Sequence, residues 1–224
     1  MHVACCHQQP YETIKILADH FPDNMYKADD DLDLPFHLAC SGKMPLKVIK
    51  LITERFPGAL TKDNKFGNLP LHVACGNQSP IEVVRFLTER TPWSAKATNK
   101  NGKIPLQFAC CNEAPLDVLR YLVDQFPESL KKKQRWQHPL HLACSHTGPW
   151  ERSDFCCNNA SLEVLRFLTE QYPAALKKTD DDGDLPLHCA ACNQAPSEVI
   201  QFLIDQFPDE INKTDLEMMS PTAR

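Results

Sequence analysis

One proline column organises this chain. Pro35, Pro70, Pro105, Pro139, Pro186 and Pro221 recur at steps of 35, 35, 34, 47 and 35 residues. The 47-residue step is one period plus a 12-residue insertion. A fixed period of this length means supersecondary units that cannot bury their apolar faces alone and must stack on one another. The expected domain is therefore one array over 1–224. Its copies run 1–33, 34–68, 69–103, 104–137, 138–184 (with the insertion near 145–156) and 185–219, and 220–224 start a further one. Function is then to be sought on a surface rather than in a cleft.

Leu69 to Lys103 serves as the type copy. Pro70 suits a first helical turn, where its missing N–H is unpaired anyway. Leu71, Val73 and Ala74 give a short helix that Gly76-Asn77-Gln78-Ser79 breaks. Ser79-Pro80-Ile81-Glu82 reads as an N-cap, a first-turn proline and a capping-box glutamate opening a second helix. Ile81, Val83, Val84, Phe86 and Leu87 cover more than one stripe, as a helix sandwiched between neighbours requires. Thr91-Pro92 ends it, because proline disfavours α conformation in the residue before it. Gly67, Gly102 and Gly183 share a loop column where a reversing turn needs positive φ.

Pro-Leu-His-x-Ala at 70–74, Glu-Val-Val at 82–84 and Asp/Asn-x-x-Gly at 64–67, 99–102 and 180–183 make the chain resemble the ankyrin repeat over nearly its whole length. The resemblance implies an all-α helix-turn-helix solenoid with short β-hairpin-like loops. Several positions depart from the family pattern. The copies run 35 residues rather than 33, and Leu34, Leu69, Ile104, His138 and Leu185 replace the threonine before Pro-Leu-His. That threonine's hydrogen bonds must be replaced or lost. The inter-helix glycine is absent, and an aromatic-proline pair follows helix two in most copies.

The net charge of -5 argues against general nucleic-acid binding, which needs a basic face. No run of 18 apolar residues exists, so no membrane span is expected. Met1 to Cys5 already belong to a copy, so no signal peptide is expected, and both ends read as cut from a longer array. No phosphate-cradling glycine loop or nucleophile motif is present among only 7 glycines, so no catalytic residue is assigned and the chain is read as a non-enzyme.

His2, His37, His72, His141 and His188 form one column, with Gln107 taking their place in copy four. A row of imidazoles invites a metal reading. Copies stacked about 10 Å apart hold them too far apart to share a zinc at about 2 Å, and glutamine is a poor zinc ligand. The resemblance implies instead that each histidine bonds backbone in the adjoining loop. Cys5, Cys40, Cys75, Cys110 and Cys144 form a second column, also too widely spaced for disulfides. Eleven cysteines placed this way suit a reducing compartment. Cys144, His146, Cys156 and Cys157 around the insertion are a conceivable zinc set, but their spacing matches no zinc pattern, and a surface loop is the simpler reading. No metal or other cofactor is expected.

The loops differ most between copies. Asp29 to Asp33 and Asp180 to Asp184 are acidic, and Lys131-Lys132-Lys133-Gln134-Arg135-Trp136-Gln137 is basic. Loop tips drift freely when they are only solvated. Trp136 beside four cations, and Phe66, are nonetheless residue types favoured as interface anchors. The candidate partner-binding residues are Asp30, Lys65, Phe66, Lys100, Lys132, Arg135, Trp136 and Asp181. The expected function is a protein-interaction scaffold or adaptor, monomeric and intracellular. The cytoplasm is the expected place, although the basic stretch also reads as a nuclear address. Neither nucleic acid, membrane nor small-molecule substrate is expected as a partner. The rival is a regulatory segment of a larger enzyme or channel. A metal or thiol-redox sensor centred on Cys144 to Cys157 is the third class.

Overall fold

A computed structural model describes residues 1–112, 114–132, 137–144 and 160–206. The chain is all-α, and among the described residues there is no β-strand. Each copy contributes a short helix and a longer one. The pairs are α1 (His2–Cys6) with α2 (Tyr11–His20), α3 (Pro35–Ser41) with α4 (Leu46–Arg55), and α5 (Pro70–Gly76) with α6 (Ile81–Arg90). They continue as α7 (Pro105–Cys111) with α8 (Leu116–Gln125), α9 (Pro139–Cys144) with α10 (Leu162–Gln171), and α11 (Pro186–Cys192) with α12 (Ser197–Asp205). Two compact units result. One comprises Met1–Ala109 with Ala114–Pro127, the other Cys110–Glu113 with Glu128–Arg224.

Within the first unit α1, α3 and α5 pack in succession, as do α2, α4, α6 and α8. Within the second, α9 packs on α11 and on α10, and α11 on α12. Small residues permit the close approach of the short helices: Ala39, Ala74 and Ala109 are 0–1% exposed. At Gly42 an added Cβ would stand 2.8 Å from the carbonyl oxygen of Cys5. The longer helices bury Val48, Ile49 and Ile52, then Val83, Val84 and Leu87, then Val118, Leu119 and Leu122.

The short helices start without a capping hydroxyl. Pro35 and Pro70 occupy the first turn, and the residue three places past the N-cap reaches back. Leu34 N–H donates to His37 Nδ1 at 3.1 Å, and Leu69 N–H to His72 Nδ1 at 3.2 Å. Histidine thus does what glutamate does in a capping box. The other half of the box is met by backbone: His37 N–H donates to Leu34 O at 2.9 Å and Gln107 N–H to Ile104 O at 3.0 Å. The bonds that the missing threonine would make are therefore replaced.

Two local expectations are corrected. Ser79 does not cap α6, which begins at Ile81 with Pro80 as its N-cap and no side-chain cap. The Ser79 hydroxyl donates instead to Cys40 O in the preceding copy, at 2.6 Å. Of the long helices it is α10 that has a hydroxyl cap: Ser161 Oγ accepts from Val164 N–H at 3.4 Å. The proline after each of the first five long helices also does more than stop it. It opens a single 3-10 turn: Pro22–Met25, Pro57–Thr61, Pro92–Lys96, Pro127–Lys131 and Pro173–Lys177.

The inter-helix turn keeps the left-handed geometry of the absent glycine. Gln8, Lys43, Gln78 and Gln194, at one column, have φ between 50° and 56°. Each side chain there costs about 1 kcal/mol against a left-handed glycine.

Candidate protein-binding loops

Every described loop is one construction. An Asp or Asn at its start folds the backbone round its own carboxylate or amide oxygen. Asp29 Oδ1 accepts from the N–H groups of Asp31 and Asp33 at 3.0 and 2.9 Å. Asn64 Oδ1 does the same for Phe66 and Asn68, both at 3.0 Å. Asp180 Oδ1 serves Asp182 and Asp184 at 3.0 and 2.9 Å. Asn99 Oδ1 accepts from Lys103 N–H at 2.8 Å. Each loop closes by a backbone bond across its base, such as Asn64 N–H to Asn68 O at 3.1 Å, which gives the hairpin-like shape. Gly67 and Gly102 have φ of 76° and Gly183 of 84°, as their column requires. Leu32 holds that position in the first loop at φ 59°, although it carries a Cβ.

Adjacent loops of the first unit are tied edge to edge. Lys65 N–H donates to Asp31 O at 2.8 Å, and Lys100 N–H to Phe66 O at 3.0 Å. Side chains add rungs: Asn64 Nδ2 to Asp33 Oδ1 at 2.9 Å and Asn99 Nδ2 to Asn68 Oδ1 at 2.8 Å. The ammonium of Lys65 donates to Asp31 Oδ1 at 3.3 Å, and that of Lys100 to Lys65 O at 2.8 Å. At Gly67 an added Cβ would stand 2.7 Å from Lys100 N, so the approach of the third loop also depends on that glycine.

Of the residues named from sequence, the structure brings Asp30, Lys65, Phe66 and Lys100 onto this tied row. Asp30, Lys65 and Lys100 are exposed and Phe66 is half-buried. Asp181 is exposed on the corresponding loop of the second unit. Lys132 is half-buried beyond the 3-10 turn, its N–H donating to Ser129 O at 3.3 Å. Arg135 and Trp136 lie outside the described residues.

The histidine column supports the loops from beneath. His72 Nε2 donates to Ala97 O at 3.1 Å and to Lys103 O at 3.0 Å, pinning both ends of the third loop. His2 reaches Asp33 O at 3.0 Å, His37 reaches Lys62 O at 3.1 Å and His141 reaches Asp184 O at 3.0 Å. With Nδ1 accepting from the helix start, His37 and His72 are held as neutral imidazoles protonated on Nε2. Burial pushes His72 and His141 down to about 4 and lowers His37 as well. Asp33 lies 3.9 Å from His37 Nδ1. Burial also raises the Asp33 carboxyl, so this pair is not a strong ion pair.

The thiol column is core. Cys5, Cys40, Cys75, Cys110 and Cys144 are 0–1% exposed and in no disulfide. Burial pushes Cys5 and Cys110 up to about 12 and raises Cys40 and Cys144 too, so these four are thiols rather than thiolates at neutral pH. Among the described residues no group of three or more His, Cys, Asp or Glu side chains is placed to hold a metal ion. His146, Cys156 and Cys157 lie outside them. No helix among the described residues is long and apolar enough to cross a membrane.

Sequence reading missed Trp93, which is 52% exposed on the 3-10 turn after α6. That turn was itself unforeseen, so nothing pointed to its outward face. It also missed the cross-ties, since Asp31–Lys65 is separated by 34 residues and shows only once the period is converted into neighbouring loops.

A family model of three ankyrin repeats matches residues 36–135, and a single ankyrin-repeat model matches residues 182–216. Together the matches span 135 of the 224 residues. No curated protein matches the chain.

Proposed function

Because the chain belongs to the ankyrin-repeat family, whose members are in general protein-interaction modules, we propose that it is a scaffold or adaptor that holds a protein partner on its loop tips and short first helices. The observation that carries this reading is the tied row of loops. A surface ordered before binding loses little conformational entropy on association. Here Asx turns, backbone rungs and buried histidines order tips whose outward side chains vary from copy to copy. The charge along the first unit runs from acidic at Asp29 to Asp33 to basic at Lys100 and Lys103. A partner of mixed charge fits it, with a cation set against the first loop and a carboxylate against the third.

Charge at such a rim sets encounter rate and orientation more than affinity. Affinity is assigned to anchors, with Trp136 and Arg135 the foremost. We place the protein in the cytoplasm as a monomer. Its buried cysteines, which form no disulfide among the described residues, support a reducing compartment.

The test is the double substitution Trp136→Ala with Arg135→Ala. Binding to the partner should weaken at least tenfold, about 1.4 kcal/mol, while thermal unfolding stays where it was. Undiminished binding would remove these two residues from the site.

A further inference from the structure

The first loop and the acidic loop of the second unit are one construction in nearly one sequence. Asp29-Asp30-Asp31-Leu32-Asp33 and Asp180-Asp181-Asp182-Gly183-Asp184 differ at a single position. In each, the opening aspartate accepts from the N–H groups two and four places on, at 3.0 and 2.9 Å. Each closes across its base, Asp29 N–H to Asp33 O at 3.1 Å and Asp180 N–H to Asp184 O at 2.9 Å. Glycine therefore suffices for this loop. At Gly183 an added Cβ would meet nothing within 4 Å, so glycine there answers the left-handed backbone alone. Leu32 adopts the same backbone, at φ 59°, with the steric cost that a Cβ meets in that region. Burial offsets little of this cost, since Leu32 is 53% exposed.

The exposure is not that of an end copy. At the equivalent Gly67 an added Cβ would stand 2.7 Å from Lys100 N, so a side chain at this column starts out toward the following loop. For Leu32 that is the second loop, tied to the first by Lys65 N–H to Asp31 O at 2.8 Å. Leu32 lies one residue past this tie on its own loop, and Phe66 one residue past it on the other. They are the two large apolar residues of loops 29–33, 64–68 and 99–103. Among the carboxylates beside them, Asp31 pairs with Lys65, Asp33 accepts from Asn64 Nδ2 at 2.9 Å, and Asp29 closes its own turn. Asp30 enters none of these bonds and is exposed.

We propose that Leu32, with Phe66 beside it and Asp30 at its edge, anchors a partner segment that carries a large apolar side chain next to a lysine or arginine. The proposal rests on the loop-row reading and deepens it. The apolar side chain covers Leu32 and Phe66, and the cation meets Asp30, which disfavours acidic segments. A residue that costs the fold while facing outward is the arrangement expected where stability is given up for binding.

Random peptides displayed on phage and selected on the full chain supply the probe. Selected sequences should carry a large apolar residue adjoining Lys or Arg. They should bind Leu32→Gly at least about tenfold less tightly, and Asp30→Asn less tightly too, with Asp181→Asn unchanged. The thermal midpoint of Leu32→Gly should hold or rise by about 2 °C, because glycine relieves the left-handed backbone. A midpoint that falls would assign the leucine to the fold and overturn the proposal. Peptides that lose binding to Lys100→Ala but not to Leu32→Gly would overturn it while leaving the loop row as the site. Peptides indifferent to both substitutions would count against the row and the proposal together. Self-association of the chain at micromolar concentration, abolished by Leu32→Gly, would overturn it by making a second copy the occupant.

Discussion

Replacing His72 with alanine should lower the stability of the chain by about 3 kcal/mol, read as a fall in the urea midpoint. The side chain is 0% exposed. Its removal leaves Leu69 N–H at a helix start and Ala97 O at the base of a loop without this partner, while Lys103 O keeps its bond from Asn99 N–H at 3.0 Å. Each buried group left unpaired costs about 1–3 kcal/mol, and a cavity against Phe108 adds to that. Glutamine should recover much of the loss, because copy four already uses it: Ile104 N–H donates to Gln107 Oε1 at 3.0 Å. An alanine variant as stable as the parent would show that the column does not hold the copies together.

Acid should act on the same column. His72 and His141 titrate near 4 in the folded chain, below the value of about 6.5 expected once unfolded. The unfolded chain therefore binds more protons between these limits, and stability falls as pH drops from about 6.5 to about 4. Above 6.5 the contribution is fully present. Two such shifts amount to a loss of a few kcal/mol, a large part of a typical domain's margin. Asp33, raised by burial, favours the folded chain as it takes up its proton, and offsets part of the loss. Urea midpoints at pH 7.5, 6 and 5 should decline in step, and His72→Gln should flatten the decline. A midpoint constant from pH 7.5 to 5 contradicts the assignment of buried neutral imidazoles.

The period and the two helices per copy were legible because each rests on a pattern repeated along the chain, and the supporting role of the histidines followed from the family resemblance that pattern carries. Single positions were harder. Ser79 sits just ahead of a helix, as a cap would, but its hydroxyl has a partner 39 residues away in Cys40. Leu32, Gln78 and Gln194 adopt the left-handed region without being glycine, since the surrounding turn dictates the backbone and the side chain tolerates it. The candidate loops were recognised by their variation. Their rungs were not, because Lys65–Asp31 and Lys100–Lys65 are contacts between loops rather than within one. Trp93 was overlooked because the proline before it read as a stop rather than as the start of a turn.

The central claim is that the loop row meets the partner while the interior columns only support it. Hydrogen exchange, measured on the chain alone and in complex with the protein it captures from a native lysate, tests this most directly. New protection should fall on peptides covering 29–33, 64–68 and 99–103 and the short helices behind them. Protection confined to the outward faces of α2, α4, α6 and α8, with those loops exchanging as before, would contradict it.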